Sequence, residues 1–292
     1  DYFRSGLNII LREGILLPSG YHCIVRGNIP INSGTSSSSA MMIAWIKFLL
    51  FASDDERKDD PGFIAALAHR AEVLEFNEPG GMMDHFASSY GSVLHIDFGP
   101  PVAVESLKGP SGSFVLGDSM EPKDTRGILA RVKDGTLDAL KSLQSRRPDL
   151  SMRNINMEIL DHYRSEINDA QYTLLKSNIV NRELTIQARA LFQSSDDEAV
   201  TWLGRLLSAH QKELRDGLQI STPKIDRMID AARKAGALGG KINGSGGGGC
   251  MFAYSPGRAE AVAGASAREG GKPYIISIGS GASLCEEGQT GL

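Results

Sequence analysis

The sequence predicts two domains in which helices and strands are mixed. With 292 residues and 41% hydrophobic side chains, the chain is long enough to bury one large core or two moderate ones. Segments with apolar residues at helical spacing alternate with short segments of strand-like alternation. Glycine, proline and serine cluster at 108–113, which is typical of a boundary. We therefore expect an N-terminal domain over residues 1–112 and a C-terminal domain over residues 113–292.

The N-terminal part predicts helices joined by turns, with a strand early and another late. In chain order the predicted elements are a helix over 1–15, a strand over 20–30, a helix over 41–51, a charged turn over 54–60, a helix over 61–76 with Pro61 in its first turn, a break at "NEPGG" (77–81), a short helix over 82–90 and a strand over 92–99. The first helix begins without any start signal, so we expect the chain to continue a longer protein.

The C-terminal part predicts a strand at "FVLGDS", a mainly helical stretch over 151–235 and a buried strand at "CMFAY" (250–254). Thr222 and Pro223 have the pattern of an N-cap followed by proline at the first helical position. Cys250 opens the last strand, so packing explains it better than reactivity.

Charge and cysteine content exclude several classes of function. The net charge is −4 with interspersed signs, which is unlike a nucleic-acid-binding or membrane-surface protein. The longest apolar run, 41–52, contains Lys47 and is too short to span a bilayer. Cys23, Cys250 and Cys285 form no C-x-x-C pair, which argues against a zinc site or a disulfide framework. We expect a reducing, cytoplasmic setting.

The stretch "PINSGTSSSSAMMIAWIKFLL" (30–50) joins four serines directly to an apolar segment. A serine run is ordinarily a solvated linker. The alternative is a helix N-terminus, where hydroxyls cap free N–H groups and several backbone donors converge. Such a point binds phosphate.

The glycine run "GSGGGG" (244–249) fits the dinucleotide pattern G-x-G-x-x-G, but it follows a helical segment and precedes a strand, which is the wrong order. A Walker loop also fails, because Ile242 stands where serine or threonine should bind magnesium. The run is either a tight helix-to-strand turn or a loop whose backbone approaches a ligand closely. The number of glycines favours the loop.

Two acidic residues lie in "RAEVLEFNEPGGMMDHFASSYG". Glu72 comes late in one helix and Asp84 falls in the first turn of the next. Taken alone, Glu72 fits a solvated helix face and Asp84 fits compensation of a helix dipole. Together with the serine-rich helix start and the glycine loop, they supply what phosphoryl transfer requires, namely phosphate-binding donors, a metal carboxylate and a general base.

Three motifs in order resemble the GHMP kinases, the family of galactokinase, homoserine kinase, mevalonate kinase and phosphomevalonate kinase. "PINSGTSSSSA" is similar to their second motif, "GGMMDHFASSYG" to their "G-I-M-D-Q" segment, and "GGKINGSGGGGC" to their glycine-rich third motif. The twelve-residue step from Glu72 to Asp84 resembles the step between the magnesium glutamate and the catalytic aspartate of galactokinases. The first motif of the family has no counterpart here, and it would carry much of the sugar recognition.

The resemblance implies an α+β, two-domain GHMP kinase fold, with an incomplete N-terminal domain like domain 2 of ribosomal protein S5 and a ferredoxin-like C-terminal domain. It implies a galactokinase-like sugar kinase that uses ATP and Mg²⁺, with Asp84 as the catalytic base and Ser38 and Glu72 as metal ligands. The nucleotide-binding residues that it implies are Gly34, Thr35, Ser36, Ser37, Ser38, Ser39, Gly244, Ser245, Gly246 and Gly247. The implied partners are a sugar and ATP, with neither nucleic acid nor membrane, and the protein is expected to be a monomer or a homodimer.

Departures from the galactokinase pattern leave alternatives open. His85 replaces the usual glutamine, and Gly247 replaces a phenylalanine, which is closer to heptose kinases. A mevalonate-kinase-type enzyme and a non-catalytic sugar and ATP sensor also remain, although retention of Ser38, Glu72 and Asp84 argues against a sensor. His85 is expected to form a supporting hydrogen bond, and His69, one turn before Glu72, to be a structural partner.

Overall fold

The computed structural model describes residues 1–31, 33–78, 80–123, 127–128, 130–193 and 199–285. Asn32 and Pro79, which belong to two of the predicted motifs, lie outside the described residues. The chain forms two compact units. The first unit contains Asp1–Ile31, Ser36–Gly109 and 278–285, and the second contains 33–35 and Pro110–Ser277. The family-domain boundary at 112 and 113 stays a prediction.

The first unit consists mainly of helices, with one two-stranded sheet. Its elements are α1 (Tyr2–Arg12), α2 (Ser37–Ala52), α3 (Pro61–His69), a π-helical turn (Arg70–Leu74), α4 (Met83–Tyr90), β1 (Val93–Asp97) and β2 (Ala103–Leu107). The two strands pair antiparallel, with Val93 opposite Leu107. The predicted helices at 1–15, 41–51 and 82–90 and the strand at 92–99 are confirmed within a few residues at their ends.

Helix α2 is the centre of this unit's core. Met42, Ile43, Ile46 and Leu50 are at most 1% exposed, and α1 and α3 pack around them. Because neighbours cover α2 on several sides, its sequence shows an apolar run instead of a single apolar stripe. Burial therefore holds the N-terminal end of α2, the serine segment, in a fixed position.

Helix α3 begins where local signals predict it. The Asp60 side chain accepts hydrogen bonds from the amides of Gly62 and Phe63, and Pro61 occupies the first helical position. The helix was predicted to continue to residue 76. It instead changes to π-helical geometry at Arg70, where the Glu75 amide donates to the Arg70 carbonyl five residues earlier.

The predicted strand over 20–30 is wrong. Residues 20–29 form no regular element, although their sequence alternates as a strand would. A strand exists only through a ladder with a partner, and none of the described strands pairs with this segment. Sequence alternation alone therefore overestimated the sheet of the first unit.

The second unit has a four-stranded antiparallel sheet with helices around it. Its elements are β3 (Phe114–Asp118), a π-helical turn (Ala130–Asp134), α5 (Gly135–Gln144), α6 (Met157–His162), a 3-10 turn (Arg164–Glu166), α7 (Asp169–Gln193), α8 (Ala199–Lys212), a π-helical turn (Glu213–Gly217), α9 (Pro223–Lys234), β4 (Gly239–Ile242), β5 (Cys250–Tyr254), α10 (Ala259–Arg268) and β6 (Lys272–Ile276). The strand order is β4-β5-β3-β6. In chain order, β3 is followed by helices, then by the neighbouring strands β4 and β5, and finally by α10 and β6. This order is the split βαβ arrangement of ferredoxin-like domains.

The glycine run has a different structural context from the one expected. It was placed between a helix and a strand, but β4 precedes it, so residues 243–249 connect two adjacent antiparallel strands. The short strand β4 was missed because two of its four residues are glycines, which are poor strand formers. The predicted cap of α9 is confirmed, since the Thr222 hydroxyl accepts from the Ile225 amide. Among the described residues, no helix combines the length and apolar character needed to cross a bilayer.

The three cysteines are expected to differ sharply in reactivity. Cys250 is fully buried at the start of β5, and burial raises the pKa of its thiol to about 11, so it is protonated and shielded at neutral pH. Cys23 and Cys285 are exposed. Brief iodoacetamide treatment at pH 7.5, followed by peptide mass spectrometry, should modify Cys23 and Cys285 and spare Cys250 until denaturant is added. Equal labelling of all three in the native protein would contradict the buried position of Cys250.

Candidate active site

The serine segment forms the first turn of α2, as the helix-start interpretation predicts. Ser36 occupies the N-cap position with φ 56°, in the left-handed region, and Ser37 is the first helical residue. The expected capping by hydroxyls does not hold for the N-cap residue, because the Ser36 side chain makes no capping hydrogen bond. The Ser36 side chain therefore does not satisfy the amides in the first turn of the helix. The positive φ of Ser36 is also unusual for a non-glycine residue and costs conformational energy.

The hydroxyls of Ser38 and Ser39 are directed to Glu72 instead. Both form hydrogen bonds to the Glu72 carboxylate. Ser39 is 5% exposed, whereas Ser38 is exposed to solvent. Of the two, Ser38 thus combines a contact to the carboxylate with access for a ligand.

Glu72 lies in the middle of the π-helical turn that follows α3. The wider turn rotates the residues after His69 relative to an α-helix, and such turns are frequent at functional sites. Glu72 is 7% exposed, so it is not the solvated helix-face residue of the simpler interpretation. Burial alone raises the pKa of its carboxyl, but hydrogen bonds from His85, Ser38 and Ser39 outweigh burial, and the pKa lies below its ordinary value. Glu72 is therefore a buried, ionised carboxylate.

Asp84 lies in the first turn of α4, as predicted, and is partly exposed. A carboxylate at this position is favoured by the positive end of the helix dipole. The next residue, His85, is 1% exposed, and its Nε2 lies 2.7 Å from Glu72 Oε2. The hydrogen bond of His85 thus connects the start of α4, which carries Asp84, to the turn that carries Glu72.

In the second unit, Gly34 and Gly244 surround the end of a lysine side chain. A methyl group added to the α-carbon of either glycine would lie 2.8 Å from Lys123 Nζ, and both glycines have positive φ. The Asn243 side-chain amide donates to the Gly34 carbonyl at 2.7 Å, which fixes the two glycine segments to each other. The positive φ values favour glycine at both positions, and a side chain at either would also displace the ammonium group.

The rest of the predicted glycine loop is partly engaged with protein groups. The Gly247 amide donates to the Ile220 carbonyl at 2.8 Å. Gly246 lies against Ile220 so closely that a β-carbon would come within 2.6 Å of its carbonyl oxygen. The Ser245 hydroxyl is buried and has no hydrogen-bond partner in the described ranges. Gly246 and Gly247 therefore pack against Ile220. Gly244, at the start of the loop, lies beside Lys123.

The structure thus brings the predicted residues together in two groups. In the first unit, Ser38, Ser39 and Glu72 are in contact, and His85 joins them to the start of α4 next to Asp84. In the second unit, Gly34 and Gly244 lie together around Lys123. Lys123 was missed from the sequence, where it follows a proline in a turn and belongs to no motif. No cluster of three or more histidine, cysteine or acidic side chains suited to a metal occurs in the part of the chain that the structure describes.

Comparison with known proteins identifies the family to which the fold belongs. Residues 1–92 match the GHMP kinases N terminal domain, and residues 188–271 match the GHMP kinases C terminal domain. The chain belongs to the GHMP kinases and has their two-domain α+β fold. Kinases of this family are ATP-dependent phosphotransferases that use a divalent metal.

Individual relatives carry different names. Mevalonate kinase of Thermococcus onnurineus is 29% identical over 278 residues, which cover 95% of this chain and 72% of the relative. Human galactokinase is 26% identical over 239 residues, covering 79% of this chain and 58% of the relative. The crystal structure of Lactococcus lactis galactokinase with galactose has a TM-score of 0.81 at 22% identity, covering 97% of this chain and 75% of that one. This last similarity concerns the fold.

Proposed function

We propose that this protein transfers the γ-phosphoryl group of ATP to a hydroxyl group of a sugar, with the anomeric hydroxyl as the expected acceptor. The observation that carries the proposal is the buried, ionised Glu72, which accepts hydrogen bonds from Ser38, Ser39 and His85. A structural role alone does not require an ionised carboxylate at this depth, since burying a charge is costly. A carboxylate beside a serine-rich helix start and a second carboxylate, Asp84, is suited to phosphoryl transfer.

Asp84 is the proposed general base. Its carboxylate accepts the proton of the sugar hydroxyl while the hydroxyl oxygen forms a bond to the γ-phosphorus. The bond between the γ-phosphorus and the β,γ-bridging oxygen breaks in the same step, and ADP leaves with the electron pair. Its partly exposed position at the start of α4 supports this role, because a substrate hydroxyl has to reach it.

The donor set fits Mg²⁺. Magnesium prefers oxygen ligands and is usually bound by one or two protein groups together with water and substrate phosphates. Glu72 supplies an ionised carboxylate and Ser38 an accessible hydroxyl in contact with it. In the proposed complex these two residues hold the ion, and bound Mg²⁺ neutralises negative charge on the phosphates.

Phosphate binding is assigned to backbone amides and one lysine. In the first unit, the amides of Ser36–Ser39 lie at the start of α2, where the Ser36 side chain makes no capping bond. In the second unit, Gly34, Thr35 and the glycine loop (Gly244, Ser245, Gly246 and Gly247) supply close backbone approach, and Lys123 supplies a positive charge beside Gly34 and Gly244.

A mevalonate-type alcohol is the second candidate acceptor. It is favoured by the similarity to mevalonate kinases, which extends over 95% of the chain at 29% identity. The sugar acceptor is supported by the similarity to human galactokinase and by the twelve-residue step from Glu72 to Asp84. An ADP-release assay with Mg²⁺ and ATP against galactose, other aldohexoses, heptose phosphates, homoserine and mevalonate separates the two. Turnover with mevalonate alone would replace the sugar proposal, and no turnover with any alcohol, despite ATP binding, would favour a sensor.

Alanine substitutions in the serine segment are expected to have unequal effects. Ser38→Ala removes the proposed metal ligand and should lower turnover most, followed by Ser37→Ala, which lies beside the proposed phosphate site. Ser39→Ala removes a buried hydrogen bond to Glu72 and should mainly lower stability. Ser36→Ala should cost less than the roughly 1 kcal/mol of a lost cap, because the Ser36 hydroxyl makes no capping bond. Steady-state kinetics and thermal unfolding of the four variants provide the measurement, and four kinetically silent variants would exclude a phosphate site here.

A further inference from the structure

The Glu72 carboxylate has a partner on α4 that the proposed chemistry does not use. His85 is 1% exposed, and its Nε2 lies 2.7 Å from Glu72 Oε2. Hydrogen bonds to an ionised acceptor are about twice as strong as those between neutral groups. The buried His85 ring cannot turn freely, whereas each serine hydroxyl can rotate about its own bond, so the His85 contact restricts the orientation of Glu72 more than either serine does.

The chemistry of the two partners shows which atom donates in this contact. An ionised carboxylate only accepts, so the hydrogen of this contact lies on His85 Nε2. The other ring nitrogen, Nδ1, is buried and has no hydrogen-bond partner among the described residues, so a hydrogen there would find no acceptor among them. His85 therefore donates to Glu72 through Nε2, and because its ring is buried the direction of that hydrogen bond is fixed.

A second buried histidine, His69, packs against the ring of His85. The His69 ring packs edge-on against the His85 ring, with centroids 5.3 Å apart, and His69 is 8% exposed. Within the part of the chain that the structure describes, His69 Nε2 has no hydrogen-bond partner, and the ring hydrogen-bonds to the backbone of Gly80. Gly80 in turn packs on Val73, since a β-carbon at Gly80 would lie 2.9 Å from a Val73 methyl group. The two rings therefore connect the loop that leads into α4 with the turn that carries Glu72.

We infer that His85 is a positioning residue, whose Nε2–H hydrogen bond holds the Glu72 carboxylate in the orientation needed to bind the divalent cation of the nucleotide. The inference rests on the proposed function, in which Glu72 is a metal ligand. Groups that hydrogen-bond to a metal ligand typically change metal affinity 10- to 100-fold when removed. His85 itself touches neither the cation nor the substrate.

The test compares three variants by nucleotide binding without turnover. His85→Leu removes the donor and keeps an apolar side chain, His85→Gln restores an N–H donor, and Phe86→Leu is the matched control. Phe86 is 4% exposed in the same helical turn and packs on Tyr90 and Phe98. Binding of ATP is measured by isothermal titration calorimetry over a range of Mg²⁺ concentrations, without any acceptor alcohol, and thermal unfolding is recorded in parallel.

We expect His85→Leu to raise the half-saturating Mg²⁺ concentration for ATP binding about 10- to 100-fold. His85→Gln should restore the half-saturating Mg²⁺ concentration to within about threefold of the wild-type value. Phe86→Leu should lower the unfolding temperature but leave the half-saturating Mg²⁺ concentration unchanged. In ¹⁵N spectra of the histidine rings, His85 should show hydrogen on Nε2. A merely structural role would leave the Mg²⁺ dependence of His85→Leu equal to that of Phe86→Leu.

The outcomes separate this inference from the proposed function. A wild-type protein whose ATP binding depends on Mg²⁺, together with a His85→Leu variant of unchanged dependence, overturns the positioning role alone. A His85→Gln variant as impaired as His85→Leu also overturns it, because the donor would then not be what matters. Wild-type ATP binding that is independent of Mg²⁺ overturns the role of Glu72 in the proposed function and the positioning role with it.

Discussion

Replacing Asp84 by asparagine is expected to lower turnover by about a hundredfold or more while binding of Mg²⁺ and ATP persists. Asparagine has nearly the same shape as aspartate, and Asp84 lies at the partly exposed start of α4, so the fold should tolerate the change. The amide cannot accept the proton of the attacking hydroxyl. The loss should therefore appear in kcat, with little change in the affinity for ATP measured by calorimetry.

The control for this experiment is a carboxylate of the same unit without a proposed role. Asp59 is 76% exposed and forms an ion pair with Lys47 at 3.3 Å. Asp59→Asn should change neither kcat nor ATP affinity, since Asp59 is exposed and belongs to neither group of the candidate site. An Asp84→Asn enzyme with wild-type turnover would remove Asp84 from the role of base and leave only the compensation of the helix dipole.

Elements with local signals were predictable from the sequence. Asp60 followed by Pro61 specifies the start of α3, and Thr222 followed by Pro223 that of α9, because capping involves residues two or three positions apart. The start of α2 within the serine run was also predictable, because the apolar segment directly after the serines predicts a buried helix. These are the places where local preference and tertiary packing agree.

Elements that depend on distant partners were not predictable from the sequence. The alternation at 20–30 has no partner strand among the described residues, and β4 exists because it pairs with β5. The end of α3 also escaped prediction, because a π-helical turn has no distinctive composition and is stabilised by what it contacts.

In the candidate site, too, some residues could be predicted from local sequence and others depend on distant contacts. Glu72 and Asp84 could be selected from residue type and spacing, but their connection through His85 depends on how α4 packs against the turn after α3. Lys123 had no sequence signal. Its position follows from the close approach of Gly34 and Gly244, which are 210 residues apart in the chain.

Glu72→Gln is expected to raise the Mg²⁺ concentration needed for half-maximal turnover tenfold or more, because a neutral amide is a poor ligand for a hard cation. The amide keeps the size of the carboxylate but replaces one acceptor oxygen with a donor. At Glu72 three donors converge, from His85, Ser38 and Ser39, so one of them must lose its acceptor. The substitution should thus weaken metal binding through both the lost charge and the disturbed hydrogen bonds.

Acid titration of stability gives a second readout of the same carboxylate. The pKa of Glu72 is lowered in the folded protein, so its ionised form contributes stability that is complete above the ordinary value of 4.5 and is lost as the pH falls through the folded-state pKa. The stability of the wild type relative to Glu72→Gln should therefore be constant from neutral pH down to about 5 and decline at lower pH. Chemical denaturation at several pH values measures this difference.

The matched control for Glu72→Gln is Glu75→Gln, three residues further along the chain at the end of the same π-helical turn. Glu75 forms an ion pair with Arg12 at 2.7 Å, and its pKa is lowered by that hydrogen bond, so it too is an ionised carboxylate. Its side chain is 29% exposed and contacts none of the three donors to Glu72 that define the candidate site. Glu75→Gln should leave the Mg²⁺ dependence of turnover unchanged. If both variants, or neither, shift that dependence, Glu72 is not the residue through which the metal acts.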